Sequence, residues 1–125
     1  MATKRVFVAF AKEDERARDL LKGQSLNTAT DFEYVDMSVK EPYDIGWKDR
    51  VRTRIRGSHG VIALISKNTP SATGEIWEIQ SAIDEGKPLL GIWAYQNDRT
   101  RPSIMNGRKL VEWTWLGITS FINSL

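Results

Sequence analysis

The chain of 125 residues contains no cysteine and only one histidine. Without thiols it can form neither disulfides nor thiolate metal sites, and nothing points to an oxidising compartment. His59, alone between Ser58 and Gly60, reads as an exposed loop residue rather than a base or ligand, and no metal site is expected. No run approaches the roughly 20 apolar residues of a membrane-spanning helix. Lys4 and Arg5 precede an apolar stretch that charges close too early for a signal-peptide core. The expected location is the cytoplasm, away from membranes. Charge of one sign is also scarce: 18 Lys and Arg against 16 Asp and Glu leave a net +2. That is too mild to argue for nucleic acid as a partner. A P-loop, a GxGxxG fingerprint, internal repeats and low-complexity segments are all missing.

What remains is an ordinary globular composition, 41% hydrophobic and 27% charged. The length fits one domain over residues 1–125. Such a chain buries roughly two-thirds of its unfolded surface, enough for a core.

Apolar runs and helical patterns alternate along the chain. "RVFVAFA" (Arg5 to Ala11) is β-branched, aromatic and almost without polar interruption, as in a strand buried on both faces. "KEDERARDLLKG" follows with early acids, an Ala17/Leu20/Leu21 stripe and Gly23 as a stop, which predicts a helix. "FEYVD" (Phe32 to Asp36) is a second strand. Met37 to Trp47 holds Pro42 and Gly46 and reads as a long loop, a kind of connection that is often functional. In "WKDRVRTRIRG" the arginines recur every second residue, a strand period, while Trp47, Val51 and Ile55 recur every fourth. The helix is favoured, since it ends in glycine and supplies a crossover. "GVIALIS" (Gly60 to Ser66) is a third strand. A helix from about Gly74 to Glu85 follows, with Ile76, Ile79 and Ile83 as its core stripe. "KPLLGIWAY" and "KLVEW" supply two more strands. Ile118, Phe121, Ile122 and Leu125 mark a last helix.

The alternation predicts an α/β, flavodoxin-like three-layer sandwich with a five-stranded parallel sheet in the order 2-1-3-4-5. Its ligand crevice lies beyond the C-terminal ends of strands one and three, where the strand order reverses. The loop after Phe10, the loop after Asp36, and the segment from Ser66 into the helix of Glu75 and Glu78 converge there.

Fold alone does not choose the chemistry. A phosphate-accepting receiver needs acids at the ends of strands one and three, but strand three ends in Ser66 and Lys67. A flavin phosphate would want a Ser/Thr/Gly-rich loop after strand one, and this loop, "AKEDER", is acidic. Taken alone, Glu75 is a first-turn acid that suits the helix dipole, and Glu78 is a solvated residue off the isoleucine stripe. Trp77 lies on the side opposite both, as a surface contact for self-association or a lid, or as a residue covered by a neighbouring loop. The Arg50 to Arg56 series reads as a solvated helix face.

Taken in order, "RVFVAF", "FEYVD", "MSVKEPYDIGW", "VRTRIRGSHGVIALISKNT" and "WEIQSAIDEGKPLLGIW" resemble a TIR domain. The resemblance is to the small bacterial TIR-like proteins of the ThsB type from Thoeris antiphage systems. It covers about Arg5 to Trp93 and implies an enzyme that cleaves NAD, as substrate rather than cofactor, at the nicotinamide–ribose bond. It also implies an ADP-ribose-type signal, linear or cyclic, that activates a separate effector, and sites completed by self-association. The essential glutamate of such domains falls on Glu78, within "WEIQSA", with Glu75 as a second candidate. Phe10, Asp36, Trp47, Ser66 and Asn68 are the expected substrate-binding residues: Phe10 and Trp47 as walls for a ring, Ser66 and Asn68 as partners of ribose or phosphate. Relatives commonly carry a tryptophan four residues before the glutamate, where this chain has Gly74. The alternative is a non-catalytic TIR-like module that binds a protein or a nucleotide.

Overall fold

Val6 and Val8 point to one side of their strand and Phe7 and Ala9 to the other, and all four are fully buried. A strand covered on both faces needs a layer of helices on each. The computed structural model, which describes residues 4–25, 32–35, 46–97 and 99–125, has that arrangement. Strands β1 (Arg5–Ala9), β2 (Glu33–Val35), β3 (Gly60–Ile65), β4 (Leu89–Trp93) and β5 (Leu110–Val111) form one parallel sheet in the order β2-β1-β3-β4-β5. Helices α1 (Glu15–Gln24), α2 (Trp47–Arg56), α3 (Thr73–Asp84) and α4 (Trp115–Asn123) alternate with the strands.

Two apolar layers result. Val6, Val8, Ile62, Leu64, Leu90 and Ile92 pack with Ala17 and Leu21 of α1 and with Ile118 and Ile122 of α4. Phe7, Ala9, Val61, Ala63 and Ile65 pack with Val51 and Ile55 of α2 and with Ile79 and Ala82 of α3. The period-two alternation of β1 and β3 thus sorts side chains between the layers. Each fully buried Val, Leu or Ile contributes about 1.5–3 kcal/mol of transfer free energy.

Several local expectations shift. Trp47 to Arg56 is a helix, as favoured: Trp47, Val51 and Ile55 are buried, while Asp49 and Thr53, which a strand would put on the same face, are exposed. In α1, Ala17 and Leu21 face the core, but Leu20 is 65% exposed and lies off the stripe. Gly23 does not stop the helix, which runs to Gln24 and closes at Ser25. There the Ser25 N–H donates to the Leu21 carbonyl, and its hydroxyl to that of Lys22. β5 keeps two residues of the five expected. His59 is exposed, yet it has a structural partner: its Nδ1 accepts the Arg5 N–H at 2.9 Å, at the start of β1. Asp36 and most of the long loop before Trp47 lie outside the described residues.

Candidate active site at the ends of strands one and three

In a parallel sheet of this order the crevice opens where β1 and β3 send their connections to opposite faces. After β1 the chain passes through Phe10 and Ala11 into a 3-10 turn, Lys12–Asp14. After β3 it passes through Ser66 and Asn68 into a second, Thr69–Ser71, and from there into α3.

Side-chain hydrogen bonds join the two connections. Ser66 Oγ donates to Asp14 Oδ2 at 2.5 Å, and Asn68 Nδ2 donates to Asp14 Oδ1 at 2.9 Å. The Asn68 N–H donates back to Ser66 Oγ at 3.0 Å, and Thr69 Oγ1 accepts the Ser66 N–H at 3.0 Å. Asp14, Ser66 and Thr69 are all buried. Asp14 was missing from the expected site residues. In sequence it is one acid among several in "AKEDER", and only its distant partners mark it out.

Helix α3 turns a polar face inward. Its buried residues include Gly74, Glu75, Glu78, Ile79 and Ala82. The spacing from Glu75 through Glu78 and Ile79 to Ala82 is a helical stripe, so both glutamates lie on the packed face. The expected stripe of Ile76, Ile79 and Ile83 is rotated accordingly: Ile76 and Ile83 are half-buried flanks. Trp77 is half-buried and not a free surface residue. Its ring lies 5.8 Å from that of Trp47, with Arg52 and Lys48 at 5.0 and 5.5 Å from its centroid.

Two pockets flank the β1–α1 turn. One, of about 170 Å³, is lined by Phe10, Lys12 and Glu13 on one side and by Ser71, Gly74 and Glu75 on the other. The second, of about 330 Å³, is lined by Glu13, Asp14, Lys67, Asn68, Tyr95 and Asn97.

Electrostatics separates the acids. Burial pushes the Glu75 carboxyl well above the usual carboxylate range; Asp14 and Glu13 add to the rise, and the Thr69 hydroxyl opposes it. That hydroxyl lies close without closing a hydrogen bond of ordinary geometry, and neither Glu75 oxygen has a partner among the described residues. The Tyr95 phenol is raised by burial and by the neighbouring Asp14 carboxylate.

Of the expected residues, Phe10 is buried at the end of β1, beneath the Arg18 guanidinium at 5.2 Å, and shares the smaller pocket with Glu75. Ser66 and Asn68 meet at Asp14. Trp47 begins α2 and packs on Trp77, while Glu78 is 5% exposed in the second turn of α3. Asp36 lies outside the described residues. Among those residues no cluster of His, Cys, Asp and Glu could hold a metal ion.

A family model described as "Thoeris protein ThsB, TIR-like domain" matches residues 7–99. The fold is similar to the crystal structure of the TIR domain of the Toll-related Receptor TRR-2 from Hydra magnipapillata, with a TM-score of 0.68 and 15% identity. That match covers 98% of this chain and 94% of the other, and at such identity it speaks for the fold alone. No curated protein matches the sequence.

Proposed function

The chain belongs to the TIR-like domain family of the Thoeris protein ThsB, and from that premise we propose that it cleaves the nicotinamide–ribose bond of NAD. The observation that carries this reading is the pair of carboxyls, Glu75 and Glu78, buried one turn apart on the inward face of α3, with Glu75 lining the pocket beside the β1–α1 turn. A surface helix does not bury two acids without a use for them, because burial disfavours the charged form.

The chemistry asks for little more. Glycosidases usually need two carboxyls, one of them to protonate the leaving group. Nicotinamide leaves a cationic pyridinium as a neutral molecule, so no acid is required. The ribosyl centre becomes oxocarbenium-like, and a fixed carboxylate beside it stabilises the developing positive charge. Glu78 has that role in our reading. Phe10 and Trp47 wall the rings, and Ser66 and Asn68 lie on the ribose and phosphate side. Capture of the ribosyl cation by water gives ADP-ribose; capture by a group of the same nucleotide gives a cyclic product. Either one serves as a diffusible signal to a separate effector protein in antiphage defence, within the cytoplasm where NAD is abundant. Self-association completes the site.

The test is purified protein with NAD, following nicotinamide release and product mass. Turnover is expected, and Glu78→Gln abolishes it while leaving the melting transition in place. Unchanged turnover in that variant would remove Glu78 from the chemistry. The competing reading, a non-catalytic interaction module, takes the long loop and Trp77 as contact surfaces; the Trp77 ring is half-buried and packs on Trp47.

A further inference from the structure

Glu75 is the buried acid to which the proposed reaction gives no task. It is 2% exposed, and both of its oxygens are shut off from solvent with no hydrogen bond of ordinary geometry among the described residues; the Thr69 hydroxyl is the donor that lies near. The groups that act on it are Thr69, Asp14 and Glu13, with no lysine or arginine among them. Asp14, also fully buried, receives two donated hydrogen bonds, from Ser66 and Asn68. A buried carboxyl with no closed hydrogen bond and acids as its neighbours favours its neutral form.

We propose that Glu75 is a positioning residue that works as a neutral acid. In that form the first turn of α3 stays packed beside the β1–α1 turn, whose Glu13 and Asp14 repel the charged form. Ionisation of Glu75 unseats that turn of α3 and, one turn further on, Glu78. The consequence for Glu78 rests on the NAD reading above; the seating itself does not.

The charged surroundings agree. From the β1–α1 turn, Lys12 and Glu13 line the pocket beside Glu75, and Asp14 lies beneath. Thr69 faces it from the second 3-10 turn, with Lys67 near Asp14 on the far side. Tyr95 stands behind Asp14. Glu78 follows on the same face of α3. Lys48 and Arg52 of α2 gather on Trp77, two residues along and therefore on another side of the helix. Burial, aided by Asp14 and Glu13, holds the Glu75 carboxyl well above the usual range.

The sign of the pH dependence follows. Between the ordinary carboxylate pKa and the raised folded value, the folded protein binds one proton more than the unfolded chain. Stability from this group is therefore full below that window and falls as pH rises through it.

Urea unfolding of wild type and Glu75→Gln across this pH range tests the proposal. Relative to the variant, the unfolding constant of wild type rises with pH by up to about tenfold per unit. Equal slopes overturn the proposal. Should Glu75→Gln not fold, infrared spectra of wild type with labelled glutamate decide. A protonated carboxyl band at neutral pH that persists in Glu78→Gln supports the proposal, and its absence overturns it. In the NAD assay, wild type loses activity on the alkaline side and Glu75→Gln lacks that limb. A Glu75→Gln enzyme as inactive as Glu78→Gln at every pH would make Glu75 a reacting carboxylate and overturn the positioning role. The unfolding slopes need no turnover, so they stay legible if NAD proves not to be a substrate.

Discussion

Ser66 and Asp14, 52 residues apart in sequence, share a hydrogen bond of 2.5 Å that ties the end of β3 to the turn after β1. With Asn68 as a second donor, Asp14 holds together the two loops that frame the crevice. Removing the acceptor orphans two donors, whereas truncating Asn68 leaves Asp14 with its Ser66 bond and keeps the Asn68 N–H on Ser66 Oγ. Asp14→Ala is therefore expected to cost about 3 kcal/mol, and Asn68→Ala about half of that. Urea denaturation at neutral pH measures both. If the two variants prove equally stable, Asp14 does not organise the loops.

Glu78→Gln keeps the shape of the side chain and removes its charge. Nicotinamide release should fall about 100-fold or more, the scale seen when a preorganised electrostatic group is lost. Rapid-quench assays at saturating NAD would register this as a loss in kcat. A loss confined to KM would mean that the residue only binds.

Trp77→Ala removes a half-buried ring that packs on Trp47 and faces two cations. A destabilisation of about 2 kcal/mol is expected, below the range for fully buried tryptophans. The near-UV circular dichroism of Trp47 should change as well. A neutral effect would mean that α2 and α3 are joined only through their aliphatic residues.

Gly91, in the middle of β4, leaves no room for a methyl group. An added Cβ would lie 2.7 Å from Met105 Cε and 2.8 Å from Leu110 Cδ1, with the Lys109 carbonyl at 3.3 Å. Gly91→Ala should cost about 1–3 kcal/mol through overpacking and weaken the pairing of β5. Amide exchange at the β4–β5 bonds, such as Gly91 N–H to the Lys109 carbonyl, would report the loosening. A melting temperature equal to wild type would show that Met105 and Leu110 move aside freely.

Some expectations survived because they rest on short-range patterns. Uninterrupted apolar runs mark β1 and β3 as strands covered on both faces, and the alternation of strands with helices leads to a parallel sheet. The α2 helix required a choice between two periods in the same ten residues. Packing made it: Trp47, Val51 and Ile55 are buried together, and the arginines are left outward or half-covered. The isoleucines of α3 misled, because apolarity alone picks out Ile76, Ile79 and Ile83. The buried face instead runs through Glu75, Glu78, Ile79 and Ala82, so two acids lie where apolarity alone would not look for the packed side.

The sequence by itself determined the strand order, the family and the helix that carries Glu75 and Glu78, since each follows from local pattern and motif. Tertiary structure decided which acids are buried, that Asp14 joins Ser66 and Asn68, and that Trp77 packs inward. Burial and partnership belong to pairs of residues distant along the chain. The rise of the Glu75 carboxyl comes first from burial and then from its neighbours Asp14 and Glu13, with the Thr69 hydroxyl opposing, and only folding brings these together.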